Sequence, residues 1–149
     1  MSTLPQFLTS GAGAALTGTD LDALKRRERP RVLVARGSRM RTKAALLDEV
    51  SAALQFPLDF GANWDALADS LGDLDWLGGP ALVVLGIAEA EQVLADEAGS
   101  LSTFVAVLAD REVQVLLSVS DDADVPRVRS VWAAAGLTAV AAGTLGYEL

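Results

Sequence analysis

The stretch Phe56-Pro57-Leu58-Asp59-Phe60-Gly61-Ala62-Asn63-Trp64-Asp65-Ala66-Leu67-Ala68-Asp69-Ser70-Leu71-Gly72-Asp73-Leu74-Asp75-Trp76 decides how the rest of the chain is read. Pro57 and Gly61 mark a turn. Asn63 follows it as an N-cap, because its side-chain oxygen can accept an otherwise unpaired N–H of the first helical turn. A helix is therefore predicted from Trp64. Trp64, Leu67, Leu71 and Leu74 recur at spacings of three and four, which gathers them into one apolar stripe facing a core. Asp65, Asp69 and Asp73 recur every fourth residue on another face. Like charges at that spacing oppose the helix by about 0.2–0.5 kcal/mol per pair, and only Asp65, in the first turn, gains from the helix dipole. A solvated face explains many such runs, so the spacing alone leaves a structural and a functional reading open.

The composition narrows the class. The chain has 149 residues, 51% of them hydrophobic and 21% charged, which suits a globular domain with its own core and argues against disorder. It contains no cysteine and no histidine, which removes disulfides, thiolate chemistry, the commonest zinc ligand and the usual general base at neutral pH. The first residues lack a basic segment followed by an apolar core, so they do not read as a signal peptide, and no apolar run has the length of a bilayer span. The expected location is the cytoplasm.

Charge is unevenly placed. The net charge is −8, and of the 12 basic residues most lie between Lys25 and Lys43, while none occurs from Ala44 to Asp110. A central segment that carries only acids repels nucleic acid and speeds encounter with cationic partners. The basic run is broken by Glu28 and spans several predicted elements, so it is read as solvated surface, or as support for the acidic helix, ahead of a nucleic-acid site.

The pattern Phe56-Pro57-x-x-Phe60-Gly61-x-Asn63-Trp64-Asp65-Ala66-Leu67-x-Asp69-x-Leu71 closely resembles the signature of the barstar family, inhibitors of small basic ribonucleases. The likeness is dense over Phe56–Leu71 and weaker from about Arg31 to Val119, with the spacing from Gly37 to Pro57 in support. It implies an α/β fold, in three layers or two, with a small parallel sheet of three strands, a fourth being offered by the C-terminal tail. It also implies that the signature helix plugs the active site of a guanyl-type ribonuclease as an immunity protein, with Asp65 and Asp69 where substrate phosphates would lie and Asn63 at the helix start. Around these, Asp59, Trp64, Ala68, Gly72 and Asp73 complete the expected partner-binding surface, and Asp110 adds a secondary carboxylate. The family's aromatic anchors are absent at Asp59 and Ala68, with Trp64 and Phe60 as possible replacements. No cofactor and no metal are implied, and the free protein is expected to be a monomer that contacts neither nucleic acid nor membrane.

The remaining chain is read as one domain over 1–149, with the resemblance over 31–119, a poorly patterned lead-in over 1–30 and an extension over 120–149. Asp20 to Arg27 suggests a short helix capped by Thr19 or Asp20. Gly11-Ala12-Gly13 lacks the third glycine and the preceding strand of a phosphate loop. Strands are predicted at Arg31–Arg36, Ala81–Gly86 and Val113–Val119, and helices at Thr42–Leu54, Glu89–Glu97, from Gly99-Ser100 onward, and at Val125–Ala135. Thr138–Ala142 is offered as an edge strand. Asp121-Asp122-Ala123-Asp124 lacks the glycine and distal glutamate of a calcium loop, so Asp124 is read as a helix cap. Strands alternating with helices predict a parallel sheet, and Leu67, Leu71, Leu82, Val84, Phe104, Leu108 and Val115 are the expected core, with Val128, Val131 and Trp132 facing inward on the last helix. Two alternatives to the inhibitor remain: a module of the same fold for a different basic partner, and an enzyme using Asp65 and Asp69 as acid and base or as magnesium ligands.

Overall fold

A computed structural model describes residues 3–57 and 59–142; Leu58 of the signature and the tail from Gly143 lie outside the described residues. Among the described residues, five parallel strands form one sheet: β1 (Ala14–Leu16), β2 (Arg31–Arg36), β3 (Val83–Ala88), β4 (Gln114–Leu117) and β5 (Val140–Ala141), in the order β2-β3-β4-β1-β5. Five α-helices connect or cover them: α1 (Leu4–Ser10), α2 (Lys43–Ala53), α3 (Trp64–Asp73), α4 (Leu101–Asp110) and α5 (Val125–Ala135). No helix among the described residues is long and apolar enough to cross a membrane.

Both sheet faces are covered, and strand side chains sort between them by the two-residue period of an extended chain. On one face Ala35, Leu85, Ile87, Val115, Leu117 and Leu16 join the buried residues of α2, α3, α4 and α5 in one core. The opposite face carries Val32, Val84, Leu116 and Ala15, and these pack under α1 through Leu4, Phe7 and Leu8 and under Leu21 of a short 3-10 turn. Gly86 belongs to this second face, where a side chain would press on Val32, Leu21 and Val34, so the glycine lets the turn sit close to the sheet. The architecture has three layers, with the larger helical layer on one side.

The strand count exceeds the expected three because the tail supplies β5, where an edge strand was offered, and the first 30 residues supply β1, which was not expected. Thr3 caps α1 in a reciprocal capping box with Gln6, Pro5 occupies its first turn and Gly11 ends it at φ 76°. After it, β1 is only three residues long, too short for any alternation to show, yet it lies between β4 and β5 and is paired on both sides. The side chain of Gln114, 4% exposed, ties the layers together: its Nε2 donates to the Phe7 carbonyl at 2.6 Å.

Other expectations are corrected locally. Leu82 is 42% exposed because it ends a 3-10 turn begun by Pro80, and β3 starts one residue later at Val83. The other six expected core residues, Leu67, Leu71, Val84, Phe104, Leu108 and Val115, are buried. Glu89–Glu97 forms no α-helix; Glu89 and Leu94 sit at φ 54°, which breaks the segment into turns, of which Ala90–Gln92 is 3-10. Asp20 caps a 3-10 turn over Leu21–Leu24 in place of an α-helix to Arg27. Asp124 has helical backbone angles and caps nothing through its side chain; Asp121 caps the preceding turn, with Oδ1 accepting from Ala123 N at 2.9 Å, and Asp124 pairs with Arg127 instead. Val131 is 45% exposed, whereas Val128 and Trp132 are buried as expected.

Candidate functional site

The acidic helix is built as its sequence dictates. Asn63 is extended, and its Oδ1 accepts from Ala66 N at 2.7 Å while Nδ2 donates to the Gly61 carbonyl at 3.3 Å, so one side chain ends the turn and starts α3. Leu67 and Leu71 are buried, and Leu74 terminates the helix in the left-handed region at φ 46°. Burial of the Leu74 side chain, 2% exposed, holds it in a conformation a leucine rarely adopts. The helix lies against α4.

Asp65, Asp69 and Asp73 are all exposed along α3, and Asp59 is exposed in the turn before it. Among the described residues, no Lys or Arg forms an ion pair with any of these four. Asp73 is instead hydrogen-bonded to the carboxyl of Asp75, and that contact, with a small contribution from burial and like charge, pushes Asp73 above the usual carboxylate range.

Trp64 does not stand free as an anchor. It is half-buried, its ring stacks on Phe104 with centroids 6.2 Å apart, and Lys43 Nζ lies 5.5 Å from its centroid. Ala68 is half-buried and Gly72 is exposed. The gap beside Gly72 is occupied, since a Cβ there would touch the Arg111 side chain at 3.4–3.5 Å. Asp110 is exposed on α4 and meets Arg111 Nε at 3.5 Å. Phe60 packs tilted on Phe56 at 4.9 Å, and Trp76 meets Phe56 edge-on at 6.1 Å while its Nε1 donates to the Leu54 carbonyl at 2.8 Å. Trp76 remains 36% exposed, an aromatic surface beside Asp73 and Asp75 that the sequence reading passed over.

Lys43 and Arg111 were also missed. Their signal was present in the charge pattern, because they are the two bases that bracket the acid-only segment, and the fold brings them to its acidic helix.

The sheet order reverses at β1, where an open α/β sheet often binds ligands beyond the carboxyl ends of its strands. The loop there is Thr17-Gly18-Thr19-Asp20, which lacks the glycine-rich cradle and Lys-Ser/Thr pair of a phosphate loop. Gly11-Ala12-Gly13 lies before β1, at the opposite end of the sheet. Among the described residues, no group of three or more acids is placed to hold a metal ion.

A family model described as Barstar (barnase inhibitor) matches residues 30–129. The chain belongs to the barstar family. No curated protein sequence matches it. Solved structures match its fold. Cdc6p from Pyrobaculum aerophilum is similar with a TM-score of 0.52 and 18% identity over 93% of this chain. A chain of Drosophila ORC bound to DNA has a TM-score of 0.56 and 14% identity over 97% of this chain. A chain in the structure of Drosophila ORC bound to GC-rich DNA and Cdc6 has a TM-score of 0.54 and 14% identity over 97%. This barstar-family chain spans 41% of the Cdc6p chain and 88% and 55% of the two ORC-structure chains.

These neighbours overturn the expectation of a guanyl-ribonuclease inhibitor. The fold is shared with Cdc6p and ORC-structure chains, and among the described residues its five strands exceed the three, with a fourth offered by the tail, that the resemblance implied. The physical reason lies in what the signature encodes: a capped amphipathic helix with acids on its outer face, a local pattern that does not select one target.

Proposed function

We propose that this barstar-family chain is a protein-binding module whose acidic α3 face docks a cationic surface of another protein. The observation that supports it is the stripe of Asp59, Asp65 and Asp69, exposed and without an ion-pair partner among the described residues, on a helix that gains nothing in folding from repeated like charge. Asp73 and Asp75 extend it, with the Asp73 carboxyl raised above its usual range by its neighbour Asp75. A partner's Arg or Lys side chains would complete these carboxylates with charge-assisted hydrogen bonds, and Trp76 offers an apolar surface beside them. Asn63 fixes the helix start, and Lys43 stacked on Trp64 steadies the first turn from outside.

The DNA named with the ORC structures offers a second partner class, and charge disfavours it here. The chain carries a net −8, and within its basic segment Lys25 and Arg36 pair with Asp22, Arg41 with Asp96, while Lys43 covers Trp64. The test is a calorimetric titration of the chain against a panel of basic proteins, with acidic proteins and duplex DNA as controls. Saturable binding to a basic protein that weakens with salt supports the module. Binding to duplex DNA alone would replace it with a nucleic-acid function.

A further inference from the structure

At the end of the sheet where the strands begin, opposite the carboxyl ends, a cavity of about 570 Å³ opens between the C-terminal ends of α4 and α5 and the starts of β1 and β4. Its volume falls in the range of sites for small organic ligands, about 300–1,000 Å³. Most of its wall is apolar: Pro80, Ala81, Val105, Leu108, Val113 and Leu137 contribute, and Gly11 and Gly13 keep the N-terminal side open because a Cβ at either would meet nothing within 4 Å.

The polar chemistry of the cavity is one-sided. Helix C-termini ordinarily present unpaired carbonyls that would call for a donor. Here the chain satisfies most of them itself: the carbonyls of Val107, Leu108 and Ala109 accept from Arg111, Val113 and Glu112, and those of Ala133 and Trp132 accept from Gly136 and Leu137. The Gly13 carbonyl accepts from Val115 N at 3.1 Å. Among the described residues that line it, the side chains left to address a ligand are Arg111, their one cation, whose guanidinium also packs over Gly72 of α3, and Thr138 and the exposed Glu112 at the edge. The ion pair of Arg111 with Asp110 is long, 3.5 Å, to a side chain that is 74% exposed, so the guanidinium can be redirected at little cost.

We propose that this cavity binds a small apolar carboxylic acid, its hydrocarbon body against Val105, Leu108 and Leu137 and its carboxylate paired with Arg111. An alkane body fits the apolar wall, and a planar fork of N–H donors is the group that pairs best with a carboxylate. The site adjoins the acidic helix, since Arg111 also packs over Gly72 of α3, but its argument does not depend on the docking reading above.

The test is a titration of the whole chain with octanoate, and with 1-octanol as the uncharged control, followed by amide chemical shifts. Saturable shifts confined to the cavity lining, with at least tenfold tighter binding of octanoate than of octanol, are expected. Arg111→Gln should remove that preference and leave octanol binding as it was. Ala109→Leu, which fills the cavity from the exposed side of α4, should weaken both probes. Thermal unfolding of each variant establishes that it is folded, and both positions are at the surface. Absence of saturable shifts, equal affinity for the two probes, or an unchanged preference in Arg111→Gln would overturn the proposal.

Discussion

Gln114→Leu tests whether the N-terminal helix is an integral part of the sheet's second face. Gln114 Nε2 donates to the Phe7 carbonyl at 2.6 Å, and both residues are buried. Leucine conserves most of the volume and packs well among Leu116, Phe7 and Leu8, so the transfer and cavity contributions are small and the hydrogen bond dominates. The loss is moderated by a detail of the site. The Phe7 carbonyl also accepts from Ser10 Oγ at 2.7 Å, so it is not left without a donor when Gln114 is replaced. The expected cost is therefore about 0.5–1.5 kcal/mol, the net value of an ordinary hydrogen bond, and not the full penalty of an orphaned buried acceptor. For a chain of this size that is a fall in Tm of about 2–6 °C. Ser10→Ala alone should cost about as much or less. The double variant orphans the carbonyl, and its loss should exceed the sum of the singles by about 1 kcal/mol. The assay is chemical denaturation of all four forms with equal m-values. Strict additivity, or a Gln114→Leu variant as stable as the parent, would refute the reasoning that this contact fastens α1 to β4.

Three further outcomes follow from particular residues. Phe104→Ala should destabilise by about 3–5 kcal/mol, since Phe104 is fully buried between Trp64 and Trp132, whereas Leu82→Ser should stay within about 0.5 kcal/mol, because Leu82 lies outside β3 and is exposed; denaturant titration of both checks the contrast. Gly37→Ala should cost at least about 1–3 kcal/mol in Tm-derived stability, because a Cβ there collides with the Glu89 backbone carbonyl and the end of β2 must move away from the turn after β3. Asp75→Asn should bring the Asp73 carboxyl down toward its ordinary range, read by carbon NMR titration. Because the folded-state value of Asp73 is raised, any stabilisation from its protonated form is complete below the ordinary carboxylate pKa and is lost as pH rises through the raised one; an unmoved Asp73 titration would show that Asp75 is not the cause.

What could be read in the sequence was what strong, long patterns encode. The Asn63 cap, the Leu67–Leu71 stripe and the continuous apolar runs of β2 and β3 each satisfy several local rules at once, and the structure follows them. β1 was illegible because three residues show no period, and its place in the sheet is decided by pairing with β4 and β5, a long-range fact. Leu82 and Val131 failed for a related reason. An apolar residue was assigned inward by its element's average period, and a proline-started turn in one case and the rotation of α5 in the other set it outside. At the site, the exposed aspartates were legible, while Arg111 over Gly72 and Lys43 over Trp64 depended on how α4 and α2 lie beside α3. The choice of partner was the least legible of all, because side-chain charge on one helix names a class of surface and not a protein.

The central claim, that α3 carries its acids for a partner and not for folding, is tested most directly by Asp69→Ala against the basic protein that binds most tightly in the calorimetric panel. Asp69 lies beyond the first turn, between two like charges and without an ion pair among the described residues. The account predicts a Tm equal to or slightly above the parent, since removing like-charge neighbours gains a few tenths of a kcal/mol at most, about 0.2–0.5 per pair. It predicts at the same time a loss of about 2–5 kcal/mol in binding, roughly 30-fold or more in Kd, as the partner's cation is left without its countercharge. A variant that binds as tightly as the parent, or one that unfolds, would contradict it.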